Sequence, residues 1–176
     1  MADGVRRLFF ALWPNEAERQ ACLRVMSLLT PEAGLRLTRP ENLHVTLLFL
    51  GWVGSDRLSG LLDAAAGLPP PRGELRFDAL SYWRGPKVAC LTCENFPPAF
   101  AETAARLKLL AEASGLELDN RGFKPHVTLA RTPKPPQAVK FAPVYWRGGG
   151  FCLAESLPHP EGGVRYHVLR HWPGLN

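Results

Sequence analysis

The tetrapeptide His-Val-Thr-Leu occurs twice, at His44-Val45-Thr46-Leu47 and His126-Val127-Thr128-Leu129, 82 residues apart in a chain of 176. Self-similarity near half the chain length predicts two similar lobes related by an approximate two-fold, each with a few strands and one or two helices. Each copy follows turn-forming residues and precedes apolar ones, as in PENLHVTLLFLG and GFKPHVTLAR, so each reads as a strand. Alternation along a strand puts His44 and Thr46 on one face and Leu43, Val45, Leu47 and Phe49 on the other. The same parity pairs His126 with Thr128 against Val127 and Leu129, and it turns Arg131 away from His126 unless the strand ends or twists first. Histidine and threonine then stand about 7 Å apart along each strand. Packed with these faces opposed, the lobes would bring two His–Thr pairs to one cleft.

The rest of the chain supplies the parts such lobes need. Residues 6–13 (RRLFFALW) predict a strand buried on both faces. Asn15 and Glu18 form an N-capping box for a helix to about Leu29, with Ala17, Ala21, Val25 and Leu28 on its inner stripe. A short extended piece is expected at 35–38, the first motif strand over 44–50 ending at Gly51, and a helix capped by Ser55 running to about Ala66. GLPPPRG at 67–73 reads as a linker. A hairpin of 75–82 with 87–93 follows, then a helix from Pro98 to Ser114 with Gly115 just past its end. Strands are expected at 126–131, at 145–156 with a bend at Gly148-Gly149-Gly150, and at 164–172.

Composition narrows the class. With 46% hydrophobic and 21% charged residues, the chain has the make-up of one soluble globular domain spanning 1–176. No apolar run approaches the roughly 20 residues of a membrane span, and the N-terminal apolar stretch, stopped by Pro14, reads as the first strand and not as a signal peptide. Cys22, Cys90, Cys93 and Cys152 are expected to be reduced thiols in a cytoplasmic protein. A net charge of +5 favours an acidic partner such as nucleic acid, with no membrane partner expected.

Two imidazoles across a cleft suit displacement at phosphorus. Near neutral pH one ring can take a proton from water while the other gives one to the departing oxygen. Hydroxyls and a nearby cation can hold the non-bridging oxygens. No metal or cofactor is needed for this scheme, and a strained cyclic phosphodiester is an apt substrate. One such strand alone reads as an ordinary structural feature; two copies with matching parity point to function.

The paired H-x-T-x motifs, ENLHVTLLFLG and KPHVTLAR, resemble those of the two-histidine (2H) phosphoesterases. The opening RLFFALWP and the closing FCLAES and GGVRYHVLRHWP resemble the RNA 2′,3′-cyclic phosphodiesterase branch, the LigT-like proteins also described as 2′-5′ RNA ligases. The resemblance runs from Arg6 to Trp172. It implies a bilobal α+β fold of two antiparallel sheets with flanking helices and an active cleft between the lobes. It also implies metal-independent hydrolysis of RNA 2′,3′-cyclic phosphate ends to 2′-phosphate ends; the protein itself is expected to be a monomer. Under it His44 is the proton donor to the leaving oxygen, His126 the base for water, and Thr46, Thr128 and Arg131 bind the phosphate. The alternatives are a non-catalytic RNA-end-binding module and a phosphodiesterase of small cyclic phosphates.

Other residues carry weaker signals. Cys90 and Cys93 with His167 and His171 match a zinc pattern poorly, because the intervening stretch is too long and the cysteines face opposite ways on a strand. Phe9, Trp13, Tyr82 and Trp83 suit either base stacking or packing, with packing favoured. Arg36, Arg39, Lys124 and Arg147 are candidates for a basic rim.

Overall fold

The computed structural model describes residues 4–147 and 150–174, so Gly148 and Gly149 of the expected bend lie outside the described residues. In chain order the elements are β1 (Arg6–Leu12), α1 (Glu16–Met26), β2 (Arg36–Leu37), a 3-10 turn (Pro40–Asn42), β3 (Val45–Val53), α2 (Ser55–Ala66), β4 (Glu74–Phe77) and β5 (Ala79–Trp83). They continue with β6 (Val88–Thr92), α3 (Pro98–Ala113), β7 (His126–Arg131), β8 (Val144–Arg147), β9 (Gly150–Pro158) and β10 (Val164–Pro173).

The fold is α+β and its strand pairs are antiparallel. One half of the main sheet runs β10-β9-β1-β3 and the other β7-β6-β5, with β2 also on β7; β4 and β8 form a separate ribbon. The halves meet where β3 touches β7, through the single pair Val45 with Val127. These are the second residues of the two tetrapeptides, so like meets like, as an approximate two-fold requires. Helices α1 and α3 pack on the sheet and α2 on α3. The core between them takes Leu8, Phe10 and Leu12 from β1 and Val45, Leu47, Val127 and Leu129 from the motif strands. Each such side chain, fully buried, contributes about 1.5–3 kcal/mol.

Local chemistry explains most boundaries. Asn15 accepts from the Glu18 amide at 2.9 Å and Glu18 accepts from the Asn15 amide at 2.8 Å, which is the expected capping box. The α1 helix stops at Met26, and its buried positions are Glu18, Cys22, Val25 and Met26, with Ala17 and Leu28 exposed. The expected stripe is thus rotated by about one residue, because the Glu18 carboxylate is drawn inward to accept from the Arg147 amide at 2.8 Å as well. Gly54, not Ser55, occupies the cap position of α2. The stretch 75–82 divides at Asp78: β4 leaves to pair with β8, and only β5 makes the hairpin with β6. Helix α3 ends as expected, with Gly115 at φ +79 just beyond.

Gly51 does not end the first motif strand. At φ +73 it sits beside a bulge that lets β3 continue to Val53. Glycine takes this left-handed backbone without a Cβ penalty.

Candidate active site

The Val45–Val127 pair decides where the motif side chains go. Directly opposed residues of an antiparallel pair point to the same face. Both valines are fully buried toward the helices, so His44, Thr46, His126 and Thr128 all face the other way. His126 is near enough for its charge to oppose charge on His44.

The two rings are held alike. His44 Nδ1 lies 2.7 Å from the Asn42 carbonyl oxygen, and His126 Nδ1 lies 2.8 Å from that of Lys124. A carbonyl only accepts, so each Nδ1 carries the proton and donates it, leaving Nε2 free in the neutral ring. His44 Nε2 is 3.0 Å from Thr46 Oγ1, from which it accepts. Thr128 Oγ1 lies 3.6 Å from the Cys90 sulfur. Burial holds that thiol in its protonated form, pushed up to about 11.

A β-bulge repeats in both motif strands. Against β1, Phe10 pairs with Leu48 and Ala11 with Thr46, so Leu47 is the extra residue. Against β6, Ala89 pairs with Ala130 and Cys90 with Thr128, so Leu129 is the extra residue. Each is the fourth residue of its tetrapeptide. An extra residue reverses the alternation beyond it. Arg131, paired with Val88, thereby returns to the face of His126 and Thr128. Phe49, expected among the core-facing side chains, is likewise turned onto the His44 face and is 55% exposed. Both departures from simple alternation have this one cause.

Aromatic rings wall His44. Trp13 stacks on it at 5.6 Å between centroids, Phe9 lies at 5.0 Å, and Tyr166 meets it edge-on at 5.0 Å. Trp83 sits 4.3 Å from the His126 ring. Burial among these groups pulls His44 down to about 4, against the favourable pull of the Asn42 carbonyl, and His126 lowers it further. His126 is also lowered, again chiefly by burial, with the Lys124 carbonyl acting against the shift. Arg7 and Arg131 both act on the Tyr166 phenol, and Arg131 also donates to the Pro86 carbonyl at 3.4 Å. The open face thus carries two imidazoles, two hydroxyls and two guanidinium groups, side chains suited to holding an anion.

The sequence profile of the LigT-like phosphoesterases matches residues 12–90. An RNA 2′,3′-cyclic phosphodiesterase of Escherichia coli strain K12 is 31% identical over 172 residues, covering 95% of this chain and 96% of its own. One from Thermus thermophilus is 32% identical, covering 93% and 87%. The chain belongs to the LigT-like phosphoesterase family. Its structure superposes on that of E. coli LigT complexed with 3′-AMP with a TM-score of 0.85 at 28% identity, covering 98% of this chain and 100% of the other.

Within this phosphoesterase fold, several site residues lie outside the sequence motifs. The buried Asn42 side chain donates from Nδ2 to the Val164 carbonyl at 2.8 Å, and its Oδ1 accepts from the Tyr166 amide at 3.1 Å. It fastens β10 to the motif turn and so places Tyr166 against His44. Its position just before the motif was the one available signal; its partners, 122 and 124 residues away, left none. Of the expected stacking aromatics, Phe9 is buried, Trp13 and Trp83 pack on the imidazoles, and Tyr82 donates to the Thr132 and Pro133 carbonyls. Arg39 pairs with Glu161 at 3.1 Å and Arg147 with Glu74 at 3.4 Å. Among the described residues no group of three or more His, Cys, Asp or Glu side chains is placed to hold a metal ion, so Cys90, Cys93, His167 and His171 do not converge. The four cysteines are free and buried. No helix among the described residues is long and apolar enough to cross a membrane.

Proposed function

We propose that the protein hydrolyses RNA 2′,3′-cyclic phosphate termini to 2′-phosphate termini by paired histidine acid-base catalysis without a metal ion. The observation that carries this reading is the shared face of His44 and His126, each with Nδ1 tied to a backbone carbonyl, which leaves Nε2 as the nitrogen that can exchange a proton with substrate. The relatives named RNA 2′,3′-cyclic phosphodiesterase support the choice of substrate.

In this reading His126 Nε2 takes a proton from water as the water oxygen attacks phosphorus. The bond from phosphorus to the 3′ oxygen breaks, and that oxygen takes a proton from His44 Nε2. Thr46 and Thr128 donate to the non-bridging oxygens and Arg131 offsets their charge. The low pKa of His44 has a consequence. Near neutrality the free ring is unprotonated, and it gains its acidic proton when the phosphate anion arrives and favours the imidazolium. Substrate thereby charges its own acid, and the idle site holds no buried cation.

An oligonucleotide labelled at its 5′ end and carrying a 2′,3′-cyclic phosphate tests the reading. The expected product retains phosphate on the 2′ hydroxyl, forms in the presence of a chelator, and is lost by several orders of magnitude in His44→Ala and in His126→Ala. Phosphate left on the 3′ hydroxyl, or near-normal turnover by either variant, would overturn it. Tight binding of the oligonucleotide with no product at high enzyme concentration would instead mark a binding module.

A further inference from the structure

The approximate two-fold makes Ala11 and Cys90 counterparts. Ala11 stands opposite Thr46 and Cys90 opposite Thr128, each next to the bulge at the fourth residue of its tetrapeptide. Directly opposed residues share a face, so both side chains point with the threonines. Both are fully buried, and one is a methyl group where the other is a thiol.

The threonines differ in step with this. Thr46 Oγ1 donates to His44 Nε2 at 3.0 Å, so in the free protein the lone pair of that ring is occupied. Thr128 Oγ1 instead lies 3.6 Å from Cys90 Sγ, and among the described residues no hydrogen bond joins it to His126 Nε2. Ser81, on the other flank of Cys90, is bonded to Thr92 at 2.8 Å and does not compete for the thiol. Burial keeps that thiol protonated, so it has a proton to give.

A threonine hydroxyl has a single proton. Given to a ring nitrogen, that proton is withheld from phosphate, and the nitrogen cannot take one from water until the bond breaks. For a ring that becomes the acid the arrangement is harmless, because protonation at Nε2 reverses the bond and releases the Thr46 proton. A base needs its lone pair open from the start.

We propose that Cys90 is a positioning residue: its thiol donates to Thr128 Oγ1 and keeps that hydroxyl off His126, leaving His126 Nε2 open to water and the Thr128 proton for the phosphate. Two rings in identical motifs thereby take different roles through one sulfur atom on a neighbouring strand. This rests on the reading of His44 and His126 as an acid-base pair, and the experiment separates the two.

Long-range nitrogen–proton spectra of the free protein read the state of each ring nitrogen. A lone-pair nitrogen that accepts a hydrogen bond moves part-way toward the protonated position, so His44 Nε2 should lie further in that direction than His126 Nε2. In Cys90→Ala the released Thr128 hydroxyl should turn to His126, bringing His126 Nε2 to the position of His44 Nε2 while the latter stays. Turnover of a dinucleotide ending in 2′,3′-cyclic phosphate should fall about fivefold in kcat, the scale of one net hydrogen bond. In a Thr128→Val background the same substitution should have no further effect, and Cys90→Ser, which puts a hydroxyl donor in place of the thiol, should restore both readouts. Cys152→Ala, which removes a buried thiol opposite Ala11 in the other half, controls for a cavity alone. An unmoved His126 Nε2 in Cys90→Ala, or losses of equal size in Cys90→Ser or Cys152→Ala, would overturn the proposal. Absence of hydrolysis by the wild type overturns the acid-base reading instead, and the spectra, recorded without substrate, then decide by themselves whether the thiol sets the bonding of Thr128.

Discussion

Lowering the pH should unfold this protein partly through one side chain, His44. In the folded chain its pKa is depressed to about 4 by burial, while an unfolded histidine titrates near 6.5. Between these values the unfolded chain binds a proton that the folded chain refuses, so stability falls as pH drops through this window and is fully present above it. Integrated from pH 7 to about pH 4.5, the difference amounts to roughly 2–3 kcal/mol. His44→Gln removes the titration and keeps a polar side chain in place. Urea unfolding of both proteins at the two pH values gives a double difference that cancels the titrating groups not coupled to His44. The wild type should lose about 2–3 kcal/mol more than the variant on acidification. Equal losses would mean that His44 is hydrated and titrates normally, and the aromatic wall would have no electrostatic effect.

The same shift bears on catalysis. Because kcat/KM reports the free enzyme, its pH optimum should lie on the acid side of 6.5, with the kcat profile displaced upward once bound phosphate favours the imidazolium. Coincident profiles centred well above neutrality would refute this. Asn42→Ala should cost about 2 kcal/mol in urea unfolding, by leaving the Val164 carbonyl and the Tyr166 amide without their partner, and should also lower kcat as Tyr166 and His44 loosen. Wild-type stability and turnover in the variant would mean that Asn42 holds neither Tyr166 nor His44 in place. Arg131→Met should reduce kcat/KM by about 100-fold at unchanged fold stability, since an exposed cation contributes to phosphate charge and little to packing. A loss below about threefold would show that the bulge does not serve the phosphate.

Much of the site was legible because its chemistry repeats within the sequence. His44, Thr46, His126 and Thr128 are four residues of two identical tetrapeptides, and period-two alternation places them on one face while their buried valines meet on the other. The capping box at Asn15 and Glu18 was equally local, needing only three residues of spacing. What could not be read depends on partners. A bulge is a mismatch between two strands, and nothing in HVTLLFLG states that β1 will pair across Leu47 and Leu50 without a partner for either. Arg131 and Phe49 therefore could not be assigned a face by alternation. The rotated stripe of α1 follows from Glu18 turning inward to the Arg147 amide, 129 residues distant. Asn42 and Tyr166 are joined across most of the chain, so neither declares its role in its own neighbourhood.

At the centre stands the claim that His44 and His126 serve one anion. Long-range nitrogen–proton correlation spectra of the imidazoles, recorded while the protein is titrated with adenosine 2′-monophosphate, address it without relying on turnover. Nε2 of both rings should move toward the protonated position along one saturation curve at one ligand per chain, while both Nδ1 signals keep the shift of a protonated nitrogen. Movement of one ring alone, or two curves with different midpoints, would contradict it.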